Sequence, residues 1–290
     1  MADVPQSAIL GTAIRAALAA GERMTARYQT ELVVETKSSL ADVVTDVDRA
    51  CEAAIRDEIR KSFPEHCVLG EEGVAPGRDA AVAALAACTE QEHLWIVDPL
   101  DGTTNFVHGL PLSVVSIAYA CSGELETGVV FDPYRDEVFF AVRGGGAHVC
   151  SKVDAQAWLA QPEAKFPGRA MSVSGVGELR RAVMATGMPV RHLERERMMQ
   201  VAAGLIGRVK SLRTLGAAAL HLAYVAAGRI DVFWEFDLNA WDIAAGALLV
   251  AEAGGVIETL DEQPYTLAAR DVAAGSDAAV LHEVARIMKP

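Results

Sequence analysis

The chain has 290 residues, enough for one large or two smaller domains with an ample core. Half of its residues are hydrophobic and 22% are charged, which excludes a disordered chain; the formal net charge of −13 argues against a nucleic-acid partner that needs a basic surface. A phosphorylated ligand stays open, because bound divalent cations reverse the local field that an anion meets. Cys51, Cys67, Cys88, Cys121 and Cys150 are scattered, odd in number and without a C-x-x-C pair. They read as neither a disulfide framework nor a zinc site and fit a reducing cytosol. Asp3 stands where a signal peptide would be basic, and Arg15 interrupts the apolar stretch that follows. The apolar windows 214–228 and 240–257 are broken by His221, Asp242 and Glu252. No membrane partner is expected, and the location expected is cytoplasmic.

Taken in order, residues 7–28 carry Ile9, Leu10, Ile14 and Leu18 at helical spacing. A strand is predicted over 31–35, with Lys37 just beyond it, and a helix over 49–62 capped by Thr45 or Asp46. Asp48 falls in that helix's first turn, where any acid suits the dipole. Residues 67–69 read as a strand, 70–73 (G-E-E-G) as a loop and 79–88 as a helix. Leu94–Val97 is a short buried strand that Asp98-Pro99 is expected to stop, since proline has no N–H for a ladder. Asp101-Gly102-Thr103-Thr104 then gives a turn and a helix start. Two carboxylates three residues apart would stand beside free N–H groups, the first suited to a hard cation and the second to an anion. Read alone, D-P-L-D-G serves equally as a surface turn.

Strands are predicted over 111–120, 126–131 and 137–143, with a hairpin turn at 132–136. The triple glycine 144–146 lacks the Gly-Lys-Ser/Thr ending of a phosphate loop. The pattern loosens over 151–168, which places a soft boundary between an N-terminal α+β half (1–150) and a C-terminal α/β half (151–290). In the second half, strands at 170–174, 184–189, 209–213, 230–235 and 256–259 alternate with helices at 177–183, 194–207, 220–227 and 242–253, an α/β layering.

Several acids fall at the ends of apolar segments: Asp48, Glu71, Asp98, Asp101 and Asp242. Gathering them without a cation would be strongly unfavourable, so a shared site implies bound metal. The residues alone do not show that they converge. However, K-S-S-L-A-D-V-V-T-D-V-D (37–48), G-E-E (70–72), W-I-V-D-P-L-D-G-T-T-N-F (95–106), G-R-I-D-V-F-W-E (228–235) and W-D-I-A-A-G (241–246) closely resemble the inositol monophosphatase family, in its order and approximate spacing.

The resemblance implies a layered α-β-α-β-α sandwich, a homodimer, and Mg²⁺-dependent, lithium-sensitive hydrolysis of a small phosphorylated polyol by in-line attack of metal-activated water. It implies two or three Mg²⁺ ions. Glu71, Asp98 and the Leu100 carbonyl would hold the first, Asp98, Asp101 and Asp242 the second, and Glu71 a weaker third. It also implies that Asp48 and Thr103 orient the water, and that Gly102 and Thr103 bind phosphate. Glu235 would meet a substrate hydroxyl near Gly216, Ala217 and Ala218. The substrate expected is myo-inositol 1-phosphate, with histidinol phosphate, fructose bisphosphate or a nucleotide 3′-phosphate as alternatives. A regulatory binding protein on the same fold is the rival of another class. Two departures are visible: Ala217 where the family commonly has Ser or Thr, and a longer segment between Glu72 and Asp98, expected to be a neutral surface insertion.

Overall fold

In a computed structural model, which describes residues 5–39, 42–162 and 165–288, the first helix buries one face against a broad sheet. Asp3, Leu40 and Ala41 of the first motif, and Glu163 and Ala164 of the loosened stretch, lie outside the described residues. In chain order the elements are α1 (Gln6–Arg27), β1 (Val34–Thr36), β2 (Val43–Thr45), α2 (Asp46–Ser62), β3 (Cys67–Gly70), a 3₁₀ turn (Glu71–Gly73), α3 (Arg78–Thr89), β4 (His93–Asp101) and α4 (Thr103–Val107). Then come β5 (Val114–Cys121), β6 (Glu124–Asp132), β7 (Glu137–Val142), β8 (Gly146–Cys150), α5 (Lys152–Ala160) and β9 (Arg169–Ala170). A second 3₁₀ turn (Leu179–Arg181), β10 (Val183–Ala185), α6 (His192–Leu205), β11 (Ser211–Arg213), α7 (Ala218–Ala226) and β12 (Val232–Glu235) follow. The chain closes with α8 (Ala240–Glu252), β13 (Val256–Thr259), β14 (Val272–Gly275) and α9 (Ala278–Met288).

Strands β3 to β9 form a seven-stranded sheet in sequence order, and a five-stranded sheet runs β11-β10-β12-β14-β13. The larger sheet is antiparallel except where β3 joins β4, a parallel pair whose connection crosses over through α3. Its two faces alternate along each strand. On β4, Trp95 and Val97 face α1 and α2, while Leu94 and Ile96 face α7 and α8. Helices α7 and α8 are apolar nearly all round because sheets cover them on both sides. Beyond the smaller sheet, α6 and α9 pack as the outer layer through Met198, Leu205, Leu281 and Val284. The result is the α-β-α-β-α sandwich. Among the described residues, no helix is long and apolar enough to cross a membrane.

Some sequence expectations need correction. Strand β4 does not end at Asp98-Pro99 but runs on to Asp101. Asp98 pairs with Ser116 and Asp101 with Val114, so the register slips by one residue and Pro99 sits within a bulge where no ladder donor is required. The 151–168 stretch contains α5, capped by the Ser151 hydroxyl, which accepts from Asp154 N at 3.1 Å. Strand 170–174 shrinks to Arg169–Ala170, which joins the first sheet through β8. Helix 177–183 is a single 3₁₀ turn. The elements β14 and α9 carried no prediction.

Candidate active site

The bulge in β4 is what builds the site. In a regular strand, residues three apart point to opposite faces. The extra residue between Asp98 and Asp101 re-aims one of them, and the two carboxylates come near enough for Asp101 to act on the charge of Asp98. Both are nearly inaccessible, 2% and 9% exposed. Asp98 Oδ1 accepts from Leu100 N at 3.0 Å, and Asp101 Oδ2 accepts from Ala219 N, at the start of α7, at 2.6 Å. Gly102 follows at φ +94°, and a Cβ there would lie 2.9 Å from the Leu112 carbonyl, so this helix entry requires glycine.

Two more acids arrive by one device. Asp48 is the third residue of α2 and closes a capping box with Thr45: its Oδ2 accepts from Thr45 N at 2.8 Å and from Thr45 Oγ1 at 2.5 Å. That leaves Oδ1 to accept from Thr103 Oγ1 at 2.9 Å. Asp242 is the third residue of α8, and its Oδ2 accepts from Asn239 N at 2.6 Å. In both, helix capping holds one oxygen and frees the other for the site. The capping role and the functional role of Asp48 are therefore not alternatives.

Glu71 enters from the 3₁₀ turn after β3, where Lys37 Nζ reaches its Oε1 at 2.9 Å and Glu72 Oε1 at 2.7 Å. Glu235, at the end of β12, is 6% exposed, and its Oε2 has no hydrogen-bond partner among the described residues. Leu100 is buried and its carbonyl lies 3.2 Å from Thr103 Oγ1, whose one proton goes to the nearer Asp48 oxygen. Gly216, Ala217, Ala218, Asp101, Glu235 and Asp242 line one cavity of about 960 Å³. Val74, Gly77 and Ala81 line it too, so the segment expected to be a neutral insertion forms part of the wall.

The electrostatics bind these groups together. Burial, then Glu71, Asp101 and Asp242, push the Asp98 carboxyl well above the usual carboxylate range. Burial and then Asp242 do the same to Asp101, against the Ala219 N–H. Asp242 is pushed up to about 7 by burial and then Glu71, and it hydrogen-bonds Asp98. Glu71 is raised by burial against the pull of Lys37, and Glu235 is raised by burial and by Asp242 and Asp101. Asp48 is raised by burial, opposed by Thr45, Thr103 and Lys37. Such carboxyls hold protons, or share them, for want of positive charge. Among the described residues, no three His, Cys, Asp or Glu side chains already close on one point as a metal cage. The donor set is nevertheless all hard oxygen, and a divalent cation relieves the repulsion that now raises Asp98, Asp101 and Asp242, which fits Mg²⁺.

The chain matches the inositol monophosphatase family over residues 6–289. It belongs to that family. It is 37% identical over 277 residues to an inositol-1-monophosphatase of Mesorhizobium japonicum, covering 94% of this chain and 93% of that one. It is also 41% identical over 255 residues to the Nus factor SuhB of Pseudomonas aeruginosa, covering 86% and 84%. Among solved structures, the extragenic suppressor protein SuhB of Bartonella henselae matches with TM-score 0.82 at 34% identity, covering 97% of this chain and 98% of that one. An IMPase of Thermotoga maritima matches with TM-score 0.78 at 32% identity, covering 95% and 94%. The inositol monophosphatase family is generally Mg²⁺-dependent, and membership in it supports phosphatase activity and suggests a phosphorylated substrate.

Sequence reasoning gave no role to Lys37, Glu72, Ala219 or Gly187. Lys37 stood in a quoted motif and Glu72 beside Glu71, but only the fold brings the Lys37 ammonium onto both acids. The Ala219 N–H and the close approach of Gly187 to Glu235 are tertiary facts with no local signature.

Proposed function

We propose that this chain is a Mg²⁺-dependent phosphomonoesterase whose substrate is myo-inositol 1-phosphate. The observation that carries the reading is the Thr103–Asp48 hydrogen bond beside the buried acids Asp98 and Asp101 at the β4 bulge. Glu71, Asp98, Asp101, Asp242 and the Leu100 carbonyl would hold two Mg²⁺ ions, with a third at Glu71. Bound there, Mg²⁺ supplies Lewis acidity to the attacking water and to the leaving oxygen.

The remaining work belongs to the chain's own residues. Thr103 Oγ1, a donor to Asp48, can accept from a water molecule and orient it, and the proton released passes through Thr103 to Asp48 Oδ1. Burial raises the affinity of Asp48 for that proton, while Lys37 nearby keeps the carboxylate form accessible. The first N–H groups of α4, from Thr103 on, have no partner within the helix and with Gly102 would bind the phosphate oxygens. Glu235 brings an unsatisfied carboxylate oxygen to the cavity, suited to the hydroxyl of a polyol. Ala217 offers no hydroxyl to that ring.

The chain would act as a homodimer in the cytoplasm, and Li⁺ would inhibit it by entering a Mg²⁺ position. A panel of myo-inositol 1-phosphate, histidinol phosphate, fructose bisphosphate and a nucleotide 3′-phosphate, assayed for phosphate release with and without Mg²⁺, tests the reading. Fastest release from the inositol ester supports it, and preference for another ester replaces the substrate. A second reading rests on the relatives named Nus factor SuhB, which are named for a factor and not for an activity. In that reading the fold serves as a binding protein, and silence of the whole panel favours it.

A further inference from the structure

Cys67, in β3, and Cys88, in α3, approach with their sulfurs 3.3 Å apart across 21 positions of sequence. Both are free thiols and both are partly exposed. The other cysteines are differently placed: Cys51 is buried and donates to the Ala20 carbonyl, Cys121 lies beside His93, and Cys150 is buried. Two thiols that merely filled core space would need no mutual orientation and no access to reagent. This pair has both.

We propose that Cys67 and Cys88 form a reversible dithiol–disulfide site that staples α3 to the edge of the larger sheet. Helix α3 is the element for which such a bond would matter most. Among its described residues only Ala81 is fully buried, so little apolar surface fixes the helix. It is joined to the fold by loops at both ends, so it can shift as a unit to close the remaining distance to bonded sulfurs, about 2.05 Å. Its partner β3 leads within four residues to Glu71, and Ala81, with Val74 and Gly77 before it, lines the large cavity. The oxidised chain would therefore hold one wall of the candidate active site in place.

The chemistry balances with a low-molecular-weight disulfide as oxidant. The Cys67 thiolate attacks one sulfur of the reagent, the reagent's S–S bond breaks, and one thiolate leaves and takes up a proton. Cys88 then attacks the Cys67 sulfur, the mixed disulfide breaks, and a second reagent thiol departs. Two chain thiols are oxidised and one reagent disulfide is reduced to two thiols. Burial and the neighbouring Cys67 push the Cys88 thiol up to about 11; once the Cys67 sulfur is bonded, that neighbour's share of the shift is removed.

The test is glutathione disulfide added to the intact protein, followed by alkylation of the remaining thiols under denaturing conditions and mass analysis. Trypsin alone is insufficient, because Cys88 and Cys121 share the fragment 79–135. Added cleavage after glutamate separates 66–71, which carries Cys67, from 79–90, which carries Cys88. The proposal expects those two peptides linked, two of the five thiols lost without retained glutathione, and full recovery with dithiothreitol. In Cys88→Ser it expects the reaction to stop at a glutathione adduct on Cys67. Five alkylated thiols in the wild type, a persistent adduct without the linked peptide, or linkage to Cys121 instead would each overturn it. None of these readouts depends on phosphatase activity.

Discussion

Thr103 Oγ1 donates to Asp48 Oδ1 at 2.9 Å across 55 residues of sequence, joining the first turn of α4 to the first turn of α2. The other Asp48 oxygen is fixed by Thr45, so the direction of this bond is set before any substrate arrives. Asp48→Asn removes the proton acceptor, and Thr103→Ala removes the group that orients the water. Each is expected to lower kcat by about 10²–10⁴-fold. Thr103→Ser should keep most of the rate. Because the two act as one unit, the double variant should be little worse than either single one. Steady-state phosphate release for the four variants checks this; additive losses would separate the two residues.

Chelation should give the protein a pH-dependent stability with a definite sign. Asp242 is pushed up to about 7, and Asp98 and Asp101 are raised too, whereas an unfolded aspartate titrates near ~3.9. Between those values the folded chain binds more protons than the unfolded chain, so stability falls as pH rises through the interval. With EDTA, the melting temperature should drop from about pH 5 to about pH 7.5 by the raised-carboxyl logic. Saturating Mg²⁺ should flatten that drop, and Asp98→Asn should flatten it without metal. Differential scanning calorimetry reads all three, and a slope unaffected by either change would contradict the electrostatic account.

His221 makes the opposite contribution. It is fully buried under Phe233, its Nε2 accepts from Leu215 N at 2.9 Å, and burial lowers it to about 3. The neutral ring must become charged on unfolding below about 6.5, so its contribution is lost as pH falls from there toward about 3. His221→Ala strands the Leu215 N–H and opens a cavity, and should cost about 1–3 kcal/mol from the stranded donor alone. Urea unfolding at neutral pH measures it, and the variant's remaining stability should depend less on acid.

Gly187 has no room for a side chain, since a Cβ there would lie 1.9 Å from Glu235 Oε1. Gly187→Ala should displace the carboxylate that meets the substrate hydroxyl while leaving Asp98 and Asp101 in place. The expected result is a KM raised roughly 10- to 100-fold, as for loss of a hydrogen bond to a charged group worth ~1.5–3 kcal/mol, with kcat changed far less. A selective fall in kcat would instead tie Gly187 to the chemistry.

Which parts were legible in the sequence follows from where each signal resides. The acids of the site were legible only through the motifs that resemble a family, because taken singly each reads as a cap, a turn or a loop. The bulge at Pro99 did not, since a proline that terminates a strand and a proline inside a bulge look alike until β5 fixes the register. Helix α5 was hidden because it buries only Ala155 and Trp158 and its cap is a single serine. Strand β14 reads V-A-A-G, too short and too poor in branched residues to stand out, yet it pairs with both β12 and β13. Lys37 gains its meaning only from Glu71 and Glu72, which the fold brings to it from more than thirty positions away.

The most direct measurement is a Mg²⁺ titration of phosphate release from myo-inositol 1-phosphate by the wild type and by Asp98→Asn. The account predicts no release in EDTA, a rise to saturation with added Mg²⁺ in the wild type, and negligible release from the variant at every concentration. Release by the wild type that EDTA leaves unchanged, or near-wild-type turnover in Asp98→Asn, would contradict it.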